Sequence, residues 1–291
     1  MTPPIAHSEL IINPDGSVYH LGLLPEDVAP VVITVGDQDR VSEVSKYFER
    51  IEVDKQHREF KTHTGRYRGK RITVTSTGIG TDNIDIVLNE MDALVNIDFE
   101  TRRIHKKHTP LTFVRIGTCG ALQPTVAVDS FFVTERAVGF DNLLHFYEAA
   151  DFLDEAFSQA LMTHFGWNPN QSTPYVVEAD AALLKRFDLP AFQRGTTATN
   201  VGFYGPQGRK LRLGLRDDQW NDKMRQFRYY QHSIDTLEME TSAIYGMARL
   251  LGHSALSISA VLANRAKGSF SDKPGKTVDS LIKTVLDVLV L

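Results

Sequence analysis

Hydrophobic and polar positions alternate along this chain with two distinct periods. Short apolar, β-branched runs that stop at glycine or at a polar pair predict buried strands, and the clearest lie at residues 31–35, 72–80, 112–121 and 255–263. Apolar residues spaced three and four apart predict helices, and these lie at residues 41–48, 84–95, 151–165, 237–252 and 277–291. Strands that alternate with helices in this way predict an α/β fold with a mostly parallel sheet.

One charged residue interrupts the strand predicted at 112–121. Arg115 lies inside an apolar run that reaches glycine at Gly117 and Gly120. An uncompensated guanidinium in a core is unfavourable, so we expect an anionic partner, either a carboxylate fixed in the fold or a ligand. Because the glycines let the backbone approach a ligand closely and Thr118 adds a hydroxyl, the stretch predicts half of an oxyanion site. Pairing with a local carboxylate is the alternative.

A second candidate anion site follows the strand at 31–35. Gly36 supplies a turn, and a helical pattern begins a few residues later. A strand, a glycine turn and a helix start bring backbone amides and the helix dipole together on an anion. Arg40 lies in the first helical turn, where a cation is unfavourable unless it faces a negative group. The sequence therefore predicts a second oxyanion site here.

The loop at residues 201–209 has a composition suited to a planar ligand. It combines the ring of Phe203, the amide of Gln207 and the guanidinium of Arg209 with glycine and proline. Such groups can stack on a heterocycle and form hydrogen bonds with its edge. An ordinary surface loop is the alternative interpretation.

Two charged stretches lie outside these candidates. Residues 96–110 contain a basic run, for which a solvated helix end is favoured over a polyanion site because the chain is acidic overall. The helix predicted at 237–252 begins with Glu238 and Glu240. Carboxylates are favourable in a first helical turn.

Composition narrows the functional classes. A net charge of -4 over 291 residues provides no basic surface for nucleic acid or an anionic membrane. Cys119 is the single cysteine, which excludes an internal disulfide and fits a reducing compartment. No signal peptide is visible, and no apolar run approaches the roughly 18 residues that span a bilayer. With no repeat or linker, we expect one cytoplasmic domain over residues 1–291.

Six motifs, taken in order, resemble those of the nucleoside phosphorylase-I family. They are Gly36-Asp37-Gln38-Asp39-Arg40, His57-Arg58-Glu59-Phe60, Ser76-Thr77-Gly78-Ile79-Gly80, Arg115-Ile116-Gly117-Thr118-Cys119-Gly120, Phe203-Tyr204-Gly205-Pro206-Gln207-Gly208-Arg209 and Glu238-Met239-Glu240. Within the family the chain most closely resembles the enzymes that cleave uridine. The resemblance implies a pentosyltransferase that forms homodimers or homohexamers. It also implies a single-domain three-layer α/β/α sandwich whose mixed, mostly parallel central sheet forms a distorted barrel.

The resemblance implies roles for individual residues. The phosphate site matches Gly36, Arg40, Arg115, Thr118 and, from a neighbouring subunit, Arg58. The ribose site matches Met239, Glu240 and, also across the subunit interface, His20. The base site matches Phe203, Gln207, Arg209 and Leu262, and the implied catalytic residues are Arg115, Arg209, Gln207 and Glu240. Inorganic phosphate is the implied co-substrate, with no metal and no organic cofactor. Residues 1–30 form an arm that contributes to the dimer interface.

The implied reaction is reversible phosphorolysis of uridine to uracil and ribose 1-phosphate in pyrimidine salvage. Purine-cleaving relatives place an aspartate where this chain has Ala263, so a purine would lack its proton donor. The retained arginines favour phosphate over water. A nucleosidase that uses water and a purine nucleoside phosphorylase are the alternatives. Thymidine or deoxyuridine as substrate, and dimer or hexamer as assembly, stay open.

Three positions depart from the family pattern. Gln38 stands where proline is usual, which predicts a slightly looser phosphate turn. Leu237 replaces a common aromatic residue before the glutamates. Asn83 replaces a serine that in some relatives binds a structural monovalent cation near Glu59, and this leaves that cation open.

Overall fold

The structure, a computed structural model, describes residues 3–291, so residues 1 and 2 of the predicted arm lie outside the described residues. The strands of this part are β1 Val31–Val35, β2 Arg50–His57, β3 Phe60–Tyr67, β4 Lys70–Ser76, β5 Ile97–Asp98, β6 Arg103–Ile104, β7 Thr112–Ala121, β8 Phe131–Gly139, β9 Tyr175–Glu178, β10 Phe192–Thr199, β11 Arg228–Tyr229, β12 His232–Glu238, β13 Ser254–Asn264 and β14 Ser269–Phe270. The α-helices are α1 Gln38–Ser45, α2 Thr81–Asn96, α3 Glu155–Phe165, α4 Ala181–Arg186, α5 Trp220–Gln226, α6 Thr241–Leu250 and α7 Pro274–Val290. Short 3₁₀ turns lie at Pro25–Asp27, Leu143–Phe146, Ala150–Phe152 and Gly205–Gln207.

A large mixed sheet runs through the molecule. Its strands follow the order β11-β12-β10-β8-β13-β7-β1-β4-β3-β2, with β9 beside β8 and β14 beside β13. The neighbours β4, β1, β7 and β13 are parallel, as are β8, β10 and β12, whereas β8 and β13 join these two groups in antiparallel fashion. β12 also pairs with β7, where Leu237 lies opposite Gly120. The pairings of β12, β10, β8, β13 and β7 therefore close into a ring.

Helices cover both faces of the sheet. Val32 packs into a core cluster with α2 and α6, whereas the next residue, Ile33, packs into a second cluster with α1, α4 and α7. Phe113 and Val114 on β7 divide in the same way, as expected for successive side chains of a strand. This arrangement confirms the predicted α/β sandwich. None of the helices within residues 3–291 is long and apolar enough to cross a membrane.

The prediction of a solvated helix end at residues 96–110 is wrong. β5 and β6 form a short antiparallel hairpin there. The side chain of Asp98 accepts hydrogen bonds from the backbone N–H groups of Glu100 and Thr101, both at 2.9 Å. Such local bonds favour a turn over a helix.

The predicted helix at 237–252 begins too early. α6 spans Thr241–Leu250, whereas Leu237 and Glu238 end the strand β12 and Met239 and Glu240 lie between the strand and the helix. The end of β12 pairs with β10, where Thr199 lies opposite Glu238. Tertiary pairing therefore overrides the helical spacing, and the two glutamates precede the helix.

The described part of the arm packs onto its own subunit. The guanidinium of Arg102 donates to the carbonyl of Ile5 at 2.8 Å and to the carbonyls of Ala6 and Leu10. The apolar residues Val18, Leu21 and Leu23 are buried in the core. The arm's contribution to a dimer interface and the single domain stay predictions.

Candidate active site

A cavity of about 570 Å³ opens where the ring of strands meets the loops after β1, β10 and β13. The predicted site residues that line it are Gly36, Arg40, Arg115, Thr118, Phe203, Gln207, Arg209, Met239, Glu240 and Leu262. The remaining lining residues are Asp37, Ile79, Cys119, Gly120, Leu237, Glu238, Ala263 and Phe270. His20 and Arg58 are absent from the lining that the described residues form.

The guanidinium of Arg40 has no ion-pair partner among the described residues. It lies in the first turn of α1, which begins after the N-cap residue Asp37. Within residues 3–291, Arg40 makes no ion pair within 4 Å, and its Nε is buried without a hydrogen bond. Burial lowers the pKa of Arg40, although the negative charge of Asp37 opposes that shift. A partly buried cation without a partner favours binding of an anion.

Arg115, in contrast, is neutralised within the fold. Its Nη2 lies 2.5 Å from Glu240 Oε2 and 3.2 Å from Glu238 Oε2, and its Nη1 is 3.3 Å from Ser259 Oγ. Burial lowers the pKa of Arg115, but the two carboxylates outweigh burial and raise it overall. The anionic partner expected from the sequence is therefore a pair of carboxylates fixed in the fold, as in the alternative stated above. The guanidinium still lines the cavity.

The two glutamates have different surroundings. Glu238 accepts hydrogen bonds from Thr199 Oγ1 at 2.7 Å and from the backbone N–H groups of Glu240 and Thr241. Oε2 of Glu240 accepts a hydrogen bond from Arg115, and its Oε1 accepts one from the backbone N–H of Gly80 at 2.9 Å. Burial raises the pKa of Glu240, and the charge of Arg115 opposes this. Glu238 thus orders the start of α6, while Glu240 is directed into the cavity.

The loop after β10 folds so that its polar groups face one another. The guanidinium carbon of Arg209 lies 3.8 Å from the centre of the Phe203 ring. Nη1 of Arg209 donates to the carbonyl of Phe203 at 2.7 Å and to Oε1 of Gln207. Burial, with a smaller effect of Arg265, lowers the pKa of Arg209 to about 10. The amide and guanidinium that the sequence assigned to a heterocycle therefore lie side by side in the cavity.

Two residues that the sequence did not indicate hold this loop. Arg265, directly after β13, donates to the carbonyl of Gln207 at 2.9 Å and to that of Gly208 at 3.3 Å. The indole N–H of Trp220 donates to the carbonyl of Pro206 at 2.7 Å. A polar residue at the end of a buried strand was the one signal for Arg265, and no local pattern indicated Trp220.

The sequence also missed apolar residues of the cavity. Phe270 on β14 and Ile79 in the turn before α2 line it although their side chains are 64% and 71% exposed. Large apolar groups exposed beside a cavity are candidates for ligand contact. Ala263 lines the same cavity.

His20 and Arg58 share a patch outside the cavity. The ring of Tyr19 lies 4.7 Å from the His20 ring and 5.2 Å from the guanidinium of Arg58. Gln38 Nε2 donates to the carbonyl of Arg58 at 3.1 Å and Gln38 Oε1 accepts from Gln56 Nε2 at 3.2 Å. Gln38, expected to loosen the phosphate turn, instead ties the start of α1 to the hairpin that carries Arg58.

A further cluster of possible metal ligands lies at Asp92, His108 and His253. The backbone N–H of Leu111 donates to Nδ1 of His253 at 3.1 Å, so the ring hydrogen of the neutral imidazole is on Nε2. Nε2 of His253 lies 3.2 Å from Asp92 Oδ1 but forms no hydrogen bond with any described residue, and Nε2 of His108 lies 2.9 Å from the carbonyl of Leu251. Because Nε2 of each ring carries the hydrogen in this arrangement, neither of these two nitrogens offers a lone pair to a metal.

Comparison with known proteins identifies the family. Residues 30–289 match the family described as the phosphorylase superfamily. The chain belongs to this superfamily. The membership confirms the resemblance found in the motifs and the prediction of an enzyme, a pentosyltransferase of the nucleoside phosphorylase type.

The similar proteins include both uridine phosphorylases and purine nucleoside phosphorylases. The uridine phosphorylase of Thermococcus kodakarensis is 29% identical over 268 residues, which cover 92% of this chain and 84% of the relative. The DeoD-type purine nucleoside phosphorylase of Geobacillus stearothermophilus is 25% identical over 277 residues, which cover 93% and 98%. The crystal structure of a Trypanosoma brucei nucleoside phosphorylase, described as showing uridine phosphorylase activity, matches with a TM-score of 0.88 at 28% identity, over 97% of this chain and 99% of that one.

Proposed function

We propose that this protein is a cytoplasmic uridine phosphorylase, which converts uridine and phosphate reversibly to uracil and ribose 1-phosphate in pyrimidine salvage. The observation that supports the proposal is the set of residues that line one cavity. It combines the unpaired cation of Arg40, the Arg115–Glu240 pair and the Gln207–Arg209 pair. Those groups match the three parts of the reaction, namely an anionic nucleophile, a ribose and a planar base.

The phosphate would bind beside Arg40 and Arg115, with Gly36 and Thr118 supplying backbone and hydroxyl donors. Its oxygen attacks C1′ of the ribose while the bond from C1′ to N1 of uracil breaks, and the electron pair of that bond leaves with the base. Arginines that fix a dianion against C1′ supply proximity and orientation. They also stabilise the charge that faces the cationic, oxocarbenium-like ribose.

The ribose would be held by Glu240, with Met239 against the sugar. Arg115 and the N–H of Gly80 already contact the Glu240 carboxylate. Contacts of this kind favour the ionised carboxylate, which can only accept hydrogen bonds. The ribose 2′- and 3′-hydroxyls are donors of the matching kind.

The uracil would lie in the loop after β10, against Phe203 and Leu262. Gln207 can form paired hydrogen bonds with an amide-like ring edge. The positive charge of Arg209 can stabilise the negative charge that develops on a carbonyl oxygen as the base departs. Ala263 provides no acid for a purine nitrogen, which supports a pyrimidine over a purine.

We further propose that the active site is completed by a second copy of the chain. Arg58 and His20 lie outside the cavity of their own subunit, and both lie against the ring of Tyr19. Their shared patch fits residues that would enter the neighbouring cavity, Arg58 at phosphate and His20 at the ribose. A homodimer, alone or within a hexamer, is then the smallest active assembly.

The first test measures uracil released from uridine by the purified protein, with and without inorganic phosphate. We expect uracil release to require phosphate and to match ribose 1-phosphate in amount, because phosphate is the proposed nucleophile. Inosine, tested in parallel, should be cleaved at least about 100-fold more slowly, since loss of a general acid commonly costs 10² to 10⁴ in rate.

Each other outcome identifies a different enzyme. Uracil release that is equally fast without phosphate would indicate a nucleosidase. Preferential cleavage of inosine would indicate a purine nucleoside phosphorylase. Adding thymidine and deoxyuridine to the same assay ranks the pyrimidine substrates, which differ at the base methyl and at the 2′-hydroxyl near Glu240.

A further inference from the structure

One carboxylate holds His20 and its neighbour Leu21 through three contacts. Oε1 of Glu90, on α2, lies 2.6 Å from His20 Nδ1. The carboxylate also accepts the backbone N–H groups of His20 at 3.0 Å and Leu21 at 2.9 Å. The side chains of Glu90 and His20 are 12% and 31% exposed, so the contact is partly protected from water. Because an ionised carboxylate only accepts hydrogen bonds, the His20 nitrogen that faces it carries the hydrogen.

The opposite ring nitrogen is left with a lone pair. A neutral imidazole has a hydrogen on one nitrogen only, so a hydrogen on Nδ1 makes Nε2 of His20 an acceptor. No residue within 3–291 forms a hydrogen bond with that Nε2. Meanwhile the Tyr19 ring packs at 76° to the imidazole, and His57 Nδ1 lies 2.9 Å from the His20 carbonyl. The ring is oriented from several sides and its accepting nitrogen is available.

We propose that Glu90 is a positioning residue for phosphorolysis. It fixes the orientation and tautomer of His20, so that Nε2 accepts a hydrogen bond from the ribose 5′-hydroxyl bound in the cavity of a second copy of this chain. The inference rests on the proposed function, because it requires a ribosyl substrate and a shared site. Glu90 itself touches no substrate.

The alternative is that Glu90 only orders the turn at residues 20–21. Two backbone N–H groups could be satisfied by any side-chain oxygen, including that of a neutral amide. The third contact, with the ring nitrogen, uses the second carboxylate oxygen, which an amide would replace with an N–H₂ group. A carboxylate that orients an imidazole in this way also fixes its tautomer in other sites.

Glu90→Gln separates the two roles. The amide keeps the size of the side chain and one accepting oxygen, but it adds an N–H₂ group that cannot accept from Nδ1 of His20. Steady-state kinetics are measured at saturating phosphate with uridine and with 5′-deoxyuridine, which lacks the 5′-hydroxyl. We expect kcat/KM for uridine to fall about three- to tenfold, as for loss of one hydrogen bond, and that for 5′-deoxyuridine to change less than about twofold. A purely structural role would lower both values alike.

His20→Ala is the matched control, since it removes the ring that Glu90 is proposed to orient. It should show the same selectivity between the substrates, and the double variant with Glu90→Gln should be no slower on uridine than His20→Ala alone. Equal losses on both substrates, additive losses in the double variant, or no effect of Glu90→Gln on uridine would each overturn the inference while leaving a uridine phosphorylase in place. A wild-type protein that does not cleave uridine with phosphate would overturn the proposed function, and the inference with it.

Discussion

Two arginines in the same cavity are held in opposite ways. Arg115 contacts Glu238 and Glu240, whereas Arg40 contacts no carboxylate among the described residues. Removing one partner of a buried ion pair leaves the other charge uncompensated, which costs about 3–5 kcal/mol. An unpaired buried cation is itself unfavourable while no anion is bound. Arg115 therefore stabilises the fold, and Arg40 is available to a ligand.

Arg115→Met and Arg40→Met test this contrast with the same replacement. Each should lower kcat/KM for phosphate by about 10- to 100-fold, because a charge-assisted hydrogen bond contributes about 1.5–3 kcal/mol. Arg115→Met should also lower the free energy of unfolding by about 3–5 kcal/mol, while Arg40→Met should leave it within about 1 kcal/mol. Urea unfolding and kinetics with varied phosphate measure the two effects. Equal destabilisation by both variants would contradict the assignment.

Single residues could be selected from the sequence where they violate a local pattern. Arg115 stands out because it is charged within an apolar run, and Arg40 because it opposes a helix dipole. Their partners could not be predicted, since Glu240 is 125 positions from Arg115 along the chain. Phe270 carries no local signal, because its place at the cavity depends on the pairing of β14 with β13.

The conformation of the loop after β10 depends on a helix that follows it in the sequence. Trp220 lies at the start of α5. The centre of its ring is 4.8 Å from that of Phe165 and 5.5 Å from that of Phe140, and its N–H donates to the carbonyl of Pro206. The indole therefore links the loop after β10 to an aromatic cluster of the core. Trp167 belongs to the same cluster but, within residues 3–291, its Nε1 has no hydrogen-bond partner.

Trp220→Phe should loosen the loop after β10 without removing ring packing. We expect KM for uridine to rise about three- to tenfold through loss of one hydrogen bond, with KM for phosphate unchanged. Trp167→Phe is the matched control, because it makes the same ring change without losing a hydrogen bond to the loop, and it should leave both constants unchanged. Initial rates, measured with uridine and then phosphate as the varied substrate, give the two KM values. A similar rise in both variants would assign the effect to the aromatic cluster.

The alternation of strands and helices was predictable because buried runs and amphipathic faces are local signals. The strand β12 was not, because its residues are partly polar and it is defined by pairing with β10 and β7. This pairing places Glu238 at a strand end, where it caps α6 and leaves Glu240 directed at the cavity. The sequence identified both glutamates and assigned them to the wrong element for that reason.

At the scale of the whole molecule, the separation of Arg58 from the cavity has a consequence that can be tested in mixed dimers. If Arg58 serves the neighbouring subunit, a cavity is complete only when its own Arg40 and the neighbour's Arg58 are both intact. Two differently tagged chains, coexpressed and purified through both tags, yield dimers of defined composition. One preparation pairs Arg40→Ala with Arg58→Ala, and the other pairs the wild type with the double variant.

The two preparations contain the same substitutions in different arrangements. With a shared site, pairing the two single variants leaves one complete cavity in each dimer, and we expect about half of the wild-type rate at limiting phosphate. Pairing the wild type with the double variant leaves no complete cavity, because each cavity then lacks one arginine. If Arg58 acted within its own subunit, the active preparation would be the second instead of the first. Since folding defects or a general loss of charge would affect both preparations equally, the order of their activities reports only whether the site is shared.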